Sequence, residues 1–233
     1  IAAAHAAAGE VQAALQSAAS IRDPVRKELT LKSIAITQAR LKDVPGALQT
    51  AGSIQDAERK AIALRDIGRV QAQRGDVQAA LETAAIIQND LAKAWVLREI
   101  AAAQARAGDV QKAIQTAAAI DIKQEFVKSE ALREIAAIQV TAGDIQGAFK
   151  TVAMIPSAAS IGKARALREM AAAQAKKGDV AGALRTAASI TRDPEFMKSW
   201  AFRDIAVAQA ALGDIQGGLK TVDTHFQFHS GGF

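Results

Sequence analysis

Residues 97–120 read LREIAAAQARAGDVQKAIQTAAAI, and the pattern in this stretch decides the fold. The positions before the Gly108-Asp109 pair that share one face of a helix are Leu97, Ile100, Ala101 and Gln104. The matching positions after the pair are Ala113, Ile114, Ala117 and Ile120. Glycine at the junction suits the left-handed conformation that ends a helix, and Asp109 can cap the helix that follows. The stretch therefore predicts two helices joined by a tight turn.

The Gly-Asp pair recurs along the chain, and each copy is called a turn anchor below. Five copies keep both residues: Gly75-Asp76, Gly108-Asp109, Gly143-Asp144, Gly178-Asp179 and Gly213-Asp214. Two weaker copies are Gly9-Glu10 and Lys42-Asp43. The anchors are separated by 33, 33, 33, 35, 35 and 35 residues, which makes seven copies over essentially the whole chain. A fixed period of this length indicates an array of helical hairpins.

Four columns of residues keep register with the turn anchor. Ten residues before it stands the Arg column: Lys32, Arg65, Arg98, Arg133, Arg168 and Arg203. Four before it stands the Gln column: Gln38, Gln71, Gln104, Gln139, Gln174 and Gln209, with His5 in the first copy. Five after it stands the Ala column: Ala14, Ala47, Ala80, Ala113, Ala148 and Ala183, with Gly218 in the last copy. Twelve after it stands the Ile column: Ile21, Ile54, Ile87, Ile120, Ile155 and Ile190, with His225 in the last copy.

The later copies are two residues longer than the earlier ones. From the Ile column to the next Arg column is 11 residues in the first three units and 13 in the last three. The insertion therefore falls between hairpins, where Asp23-Pro24 and Asp193-Pro194 mark helix starts. Because a uniform superhelix needs uniform units, we expect a change of curvature near residues 120–125.

The pattern resembles the tetratricopeptide repeat, whose 34-residue unit has a Gly-Asp turn followed by Ala-Leu or Ala-Ile. Matching residues are Gly108, Asp109, Ala113, Ile114, Leu97, Ile100 and Ala101. The resemblance covers the whole chain, but Gln104 and Ala117 stand where that family carries large aromatic residues. It implies an all-α fold, a right-handed α-solenoid of about seven helix-turn-helix repeats of 33–35 residues.

The pentatricopeptide repeat is a weaker rival, since it also consists of hairpins of about 35 residues and reads single-stranded RNA. Its base-reading position is usually a small polar residue such as Asn, Ser or Thr. The matching position here is the Arg column. Arginine can bind phosphate or carboxylate, but the same residue type in every repeat cannot distinguish four bases. The sequence therefore disfavours base-specific nucleic-acid binding.

Composition narrows the function classes further. A net charge of +5 admits nucleic acid, anionic lipid or acidic protein as partners without selecting one of them. The 233 residues include no cysteine and no uninterrupted apolar stretch long enough for a transmembrane segment. No phosphate loop, nucleophile motif or metal-ligand cluster is seen, so we predict no enzyme, no cofactor and no metal site.

The Arg column is the most informative polar feature, and two interpretations of it stay open. Arg65, Arg98, Arg133, Arg168 and Arg203 form the candidate ligand groove, because guanidinium groups bind carboxylates in bidentate fashion. An acid follows each of them: Asp66, Glu99, Glu134, Glu169 and Asp204. Adjacent residues on a helix do not face each other, so the second interpretation pairs each arginine with the acid of a neighbouring repeat.

Four aromatic residues are candidate partner anchors: Trp95, Trp200, Phe226 and Phe228. The two tryptophans share one column, three residues before the Arg column. The two phenylalanines lie in the tail from Asp223 to Phe233, which either folds back as a cap or docks another subunit. The buried Gln column predicts a structural hydrogen-bond ladder, most simply to backbone groups or to the next glutamine.

The sequence thus predicts one repeat array over residues 1–222, with an incomplete first repeat, and an aromatic C-terminal tail over residues 223–233. Since Ile1 falls inside the first helix of a unit, we expect further chain upstream. The predicted function is a non-enzymatic protein–protein interaction or scaffold module that holds a protein or peptide, acidic ones included, in its concave groove. The alternative is a structural subunit that self-assembles end to end or through its tail. Nothing in the sequence indicates the compartment.

Overall fold

The computed structural model of the protein describes residue 5 and residues 10–156, 159–190 and 195–225. These residues form α-helices and one 3-10 helix, with no β-strand among them. The helices up to the 3-10 helix are α1 Val11–Ala19, α2 Pro24–Arg40, α3 Val44–Gly52, α4 Ala57–Gln73, α5 Val77–Ile86, α6 Asp90–Arg106, α7 Val110–Ala118 and the 3-10 helix Ile122–Gln124. The later ones are α8 Glu125–Ala142, α9 Ile145–Ala153, α10 Ser160–Lys176, α11 Val180–Ala188, α12 Glu195–Ala211 and α13 Ile215–His225. The predicted all-α class is confirmed.

Long and short helices alternate on either side of the turn anchors. The helix before each anchor, called the first helix, has 17 or 18 residues in α2, α4, α6, α8, α10 and α12. The helix after it, called the second helix, has 9 to 11 residues in α1, α3, α5, α7, α9, α11 and α13. Each hairpin is therefore asymmetric, and its first helix supplies most of the surface.

The chain divides into two compact units, Ile1–Lys128 and Ser129–Phe233. In the N-terminal unit, α2, α4 and α6 pack side by side, and each also contacts its own second helix and the preceding one. In the C-terminal unit, α10 and α12 repeat these contacts with α9, α11 and α13. Neighbouring hairpins thus pack within each unit. The predicted change of curvature stays a prediction.

The Ala and Ile columns form the core of the hairpins. All six alanines of the Ala column are fully buried. In the Ile column, Ile54, Ile87, Ile120, Ile155 and Ile190 are no more than 4% exposed. In the last copy, a Cβ on Gly218 would come within 2.9 Å of the carbonyl oxygen of Ala206, so α13 approaches α12 too closely for alanine. Small side chains therefore set a short distance between the two helices of a hairpin.

The turn anchors adopt the left-handed conformation that the sequence predicts. The φ angles of Gly75, Gly108, Gly143, Gly178 and Gly213 lie between 81° and 92°. Lys42 occupies the same position in the second copy with a φ of 67°, a conformation that costs an L-amino acid about 1–2 kcal/mol. The repeat geometry is strong enough to hold this lysine in a strained conformation.

The linker after α7 shows where the two additional residues of a longer unit lie. Asp23, Asp56 and Asn89 each cap a first helix with the side chain, and Pro24 occupies the first helical position as predicted. After Ile120 the chain first forms the 3-10 helix, whose N-cap is Asp121, and only then begins α8. The insertion at this linker is thus one additional turn. Asp193-Pro194 lies outside the described residues.

The Gln column does not form the ladder that the sequence predicts. Each glutamine side chain accepts a hydrogen bond of 2.6–2.8 Å from a threonine hydroxyl on the second helix of its own hairpin. The donors are Thr50, Thr83, Thr116, Thr151, Thr186 and Thr221. The predicted partners, backbone groups or the next glutamine, were wrong for the amide oxygen, because the threonine twelve residues later lies directly across the hairpin. We call this hydrogen bond the hairpin latch.

The residue three positions after the anchor aspartate decides whether that aspartate caps the second helix. Asp43, Asp144, Asp179 and Asp214 accept a hydrogen bond from the backbone N–H of a glycine at that position and another from the Gln-column amide. A Cβ on these glycines would clash with the carboxylate. Asp76 and Asp109 face Ala79 and Lys112 instead, and neither caps its helix. The predicted capping by aspartate is therefore correct only in the copies that have glycine three positions after the aspartate.

Substitutions at the turn should change stability in opposite directions. Lys42→Gly should raise the free energy of unfolding by ~1 kcal/mol, since glycine adopts positive φ without strain. Gly108→Ala should lower it by ~1 kcal/mol or more, through backbone strain alone, because no atom lies within 4 Å of the added Cβ. Urea denaturation followed by circular dichroism measures both. Changes of the same sign would contradict the assignment of strain to the turn.

Glycines inside the second helices should also divide into two classes. Gly147→Ala should lower the free energy of unfolding by ~1 kcal/mol, because it displaces the Asp144 cap and this loss outweighs the gain in helix propensity. Gly52→Ala is the control, since no atom lies within 4 Å of its added Cβ, and it should be neutral or stabilising. Thermal denaturation compares them. Stabilisation by Gly147→Ala would show that the cap contributes little.

Candidate functional site

The exposed face of the first helices carries an apolar column that the sequence interpretation missed. Seventeen residues before the anchor stand Val25, Leu91, Phe126, Ile161 and Phe196, with Glu58 as the exception. All five apolar residues are exposed, and Phe126 is the most exposed at 65%. Four and seven residues later on the same helical face come the tryptophan column and the Arg column. We call this apolar-to-basic surface the first-helix face.

The Arg column of the N-terminal unit pairs both between helices and within a helix. Lys32 on α2 approaches Asp66 on α4 at 3.6 Å, as the inter-repeat interpretation expects. Arg65 contacts the adjacent Asp66 at 3.0 Å, and Arg98 contacts the adjacent Glu99 at 2.8 Å. The expectation that adjacent residues do not meet was wrong here, because the long arginine side chain can bend back along the helix surface.

In the C-terminal unit the Arg column joins a closed ring of four charges. Arg133 contacts Glu130 at 2.8 Å and Glu169 at 2.6 Å, and Arg165 approaches the same two carboxylates at 3.5 and 3.2 Å. Burial lowers the pKa of Arg133, but its hydrogen bonds and attraction to both glutamates more than offset this, so its net pKa is raised. The ring holds α8 to α10 and carries no net charge.

The last two members of the Arg column share one carboxylate. Arg168 on α10 reaches Asp204 on α12 at 2.7 Å, and Arg203 contacts the same aspartate at 3.0 Å. Inter-helix pairs thus occur at Lys32, Arg133 and Arg168, so much of the column serves the packing of neighbouring hairpins. The role of the column as a ligand groove stays a prediction.

Two of the four candidate partner anchors lie within the described residues. Trp95 is half-buried between the guanidinium of Arg98, 5.6 Å from its ring centre, and the edge of Phe126 at 6.3 Å. Trp200 is exposed and lies 4.8 Å from the ring of Phe196, with the Arg168 guanidinium 5.1 Å away. Phe226 and Phe228 lie outside the described residues.

A cleft of about 420 Å³ opens between α4 and α6 on the first-helix face. It is lined by Arg65, Asp66, Arg69, Trp95, Arg98 and Glu99. Three members of the candidate groove and anchor sets, Arg65, Trp95 and Arg98, therefore meet in one place. Arg69 was not a candidate, because the sequence shows it in a single copy only.

A lysine column was also missed, although it is present in all six complete first helices. Its members, fifteen residues before the anchor, are Lys27, Lys60, Lys93, Lys128, Lys163 and Lys198. Lys128 donates hydrogen bonds of 2.9 and 3.0 Å to the carbonyl oxygens of Ala118, the last residue of α7, and of Ile120, which follows that helix. Lys198 donates one of 3.3 Å to Ala188 at the end of α11. These two lysines cap the preceding second helix.

The end of α13 is held by an aromatic contact. The ring of His225 stacks on that of Phe202 with centres 3.7 Å apart and planes within 1°. Burial lowers the pKa of His225, and the nearby charge of Lys198 lowers it further. Among the described residues no group of three or more potential metal ligands is found.

Comparison with known proteins assigns the chain to no family. The sequence matches no protein-family model, and no curated protein is significantly similar to it. None of the helices described is both long and apolar enough to cross a membrane.

Glu28 positions α2 against α4, the helices that carry Lys32 and Arg65. Its carboxylate accepts 3.1 Å hydrogen bonds from the backbone N–H groups of Gln55 and Asp56, and it pairs with Arg59 at 2.9 Å. The bond from Asp56 holds the pKa of Glu28 below its ordinary value, burial opposes the shift, and Arg59 and Gln55 reinforce it. The other first helices have Ala or Ser at this position, so the contact belongs to one hairpin pair.

Replacing Glu28 should give a stability loss that depends on pH. Because the folded-state pKa is lowered, the contribution is present above the ordinary value of 4.5 and is lost as pH falls through the folded-state pKa. Glu28→Gln should therefore lower Tm at pH 7, and the difference from wild type should shrink in acid. Glu82→Gln, at an exposed carboxylate, is the control and should change Tm little at either pH. An equal loss for Glu28→Gln at pH 7 and pH 3 would contradict this account.

Proposed function

We propose that the chain is a non-enzymatic protein–protein interaction or scaffold module, a tetratricopeptide-like, right-handed α-solenoid of about seven repeats. Its first helices hold a protein or peptide segment. The turn, Ala, Ile and latch positions recur in the described hairpins, and neighbouring hairpins pack on each other within each unit, which supports the repeat count.

The observation that carries the binding role is the exposed apolar column of the first-helix face. Exposed apolar residues scattered singly are ordinary, but a column that repeats beside cationic groups suggests an interaction surface. Val25, Leu91 and Phe126 supply it in the N-terminal unit, and Ile161 and Phe196 in the C-terminal unit. Their partner side chains would be apolar, and the neighbouring arginines favour acidic groups beside them.

The contacts of the recurring acidic residues support a non-catalytic role. Asp43, Asp144, Asp179 and Asp214 cap the turns, and Asp66, Glu99, Glu169 and Asp204 pair with cations of the Arg column. A carboxylate whose oxygens are already engaged in this way is a weak candidate for acid–base catalysis, because it is not free to exchange a proton with a substrate.

A display library of random 12-residue peptides, selected on the immobilised protein, tests the binding role. We expect enriched sequences whose binding falls on the order of tenfold with Phe126→Ser, through the loss of buried apolar area. Ile86→Ser is the control, because Ile86 is also exposed but lies on a second helix, and it should leave binding unchanged. Failure to enrich any peptide would reject the proposal.

A second function, self-assembly, is favoured by the apolar residues of α13. Six residues after the anchor, Leu15, Leu48, Leu81, Ile114, Phe149 and Leu184 are half-buried in the earlier copies. Leu219 in the last copy is 54% exposed, and nearby Ile215 is 61% exposed. Sedimentation velocity should show association that the Ile215→Ser/Leu219→Ser variant abolishes. A monomer at every concentration would reject self-assembly.

A further inference from the structure

The cleft between α4 and α6 carries an excess of positive charge. Its lining has the guanidinium groups of Arg65, Arg69 and Arg98 against the carboxylates of Asp66 and Glu99. Both carboxylates are already engaged: Asp66 by Lys32 and Arg65, and Glu99 by Arg98. The third guanidinium therefore has no acid left in the cleft.

Arg69 is that third guanidinium. It forms no ion pair or hydrogen bond through its side chain within the part of the chain that the structure describes, although it is half-buried. The same position, six before the anchor, holds Ile36, Ala102, Ala137, Ala172 and Val207 in the other copies. A cation that is partly removed from water and has no anionic partner is destabilised. A bound anion would supply the missing ion pair and hydrogen bonds.

The surroundings of Arg69 favour a single carboxylate over a polyphosphate chain. Asp66 and Glu99 interrupt the positive surface, and they would repel successive phosphates. Trp95 is flanked by Arg98 and Phe126, which leaves its ring poorly placed to stack on a nucleic-acid base. Among the groups that line the cleft, three guanidiniums exceed two carboxylates by one charge, which matches one acidic side chain.

An apolar contact lies at a definite distance from this charge. Leu91 and Arg98 are on the same face of α6 and seven residues apart, so they are separated by about 10 Å along the helix. An extended peptide covers that distance in about three residues. A ligand that reaches both therefore has an acidic and an apolar side chain three or four positions apart.

We propose that the α4–α6 cleft binds one aspartate or glutamate side chain of a peptide that also carries an apolar residue three or four positions away. Arg69 supplies the attractive charge, Arg65 and Arg98 line the pocket, and Leu91 and Phe126 take the apolar side chain. The proposal rests on the peptide-binding role proposed above. The cleft proposal puts the ligand at the junction of one pair of hairpins. The Arg column by itself would predict binding at every junction equally.

The test repeats the random-peptide selection on the wild-type chain and on Arg69→Gln. Wild type should enrich peptides with an Asp or Glu three or four positions from Leu or Phe. The fluorescence of Trp95 in a Trp200→Phe background then gives Kd for a selected peptide. Arg69→Gln should weaken binding on the order of tenfold, as expected for a lost charge-assisted hydrogen bond. Arg69→Lys should recover part of the loss.

Three controls separate the outcomes. Arg22→Gln, which makes the same charge change at an exposed residue outside the cleft lining, should leave Kd unchanged. The Glu→Gln or Asp→Asn version of the selected peptide should bind weakly to wild type and equally weakly to Arg69→Gln. Circular dichroism should show that the Arg69 variants are folded.

Three results would overturn the inference. The cleft would be rejected as the binding site if the enriched peptides showed no preference for acidic residues, or if Arg69→Gln left their Kd unchanged. Either result would leave the peptide-binding role intact. Failure to enrich any peptide would reject both. Binding of a 20-nucleotide oligo(U) that is steeply salt-dependent and is lost in Arg69→Gln would assign the cleft to single-stranded nucleic acid instead.

Discussion

The hydrogen bond from a threonine hydroxyl to a buried glutamine amide oxygen is the interaction on which the remaining structure depends. It joins the two helices of every described hairpin from Gln38 to Thr221. A buried polar group left unpaired costs more than a made hydrogen bond gains, so the bond selects one register of the two helices. That register brings the Ala column into contact and points the first-helix face outward.

Much of the fold could be predicted from the spacing of residues along the chain. The anchor glycines, the Ala column and the Ile column act through local backbone conformation and size, and these depend little on distant residues. The glutamine partners could not be predicted in the same way. Thr151 and Gln139 are twelve residues apart, and only the closed hairpin shows that they meet. The threonine column is visible in the sequence, eight residues after each anchor from Lys42 onward, but its spacing alone does not identify glutamine as the partner.

The site was harder to predict than the fold because charge pairing depends on side-chain paths. Arg65 bends back to Asp66 on its own helix, whereas Arg133 reaches Glu169 on the neighbouring one. Both are arginines of the same column, so the repeat pattern does not distinguish them. Arg69 breaks the pattern and was missed for that reason. Its column holds alanine, valine or isoleucine in the other copies, so the repeat pattern gives no reason to expect a charged group there.

Double-mutant cycles on the hairpin latch test the central claim most directly. The cycle of Gln139→Leu and Thr151→Val should give a coupling free energy of ~1 kcal/mol or more in urea denaturation, because the two groups bond to each other. The cycle of Gln139→Leu and Gln174→Leu should give a coupling near zero, since these glutamines belong to different hairpins. Additivity in the first cycle, or coupling only in the second, would contradict the account.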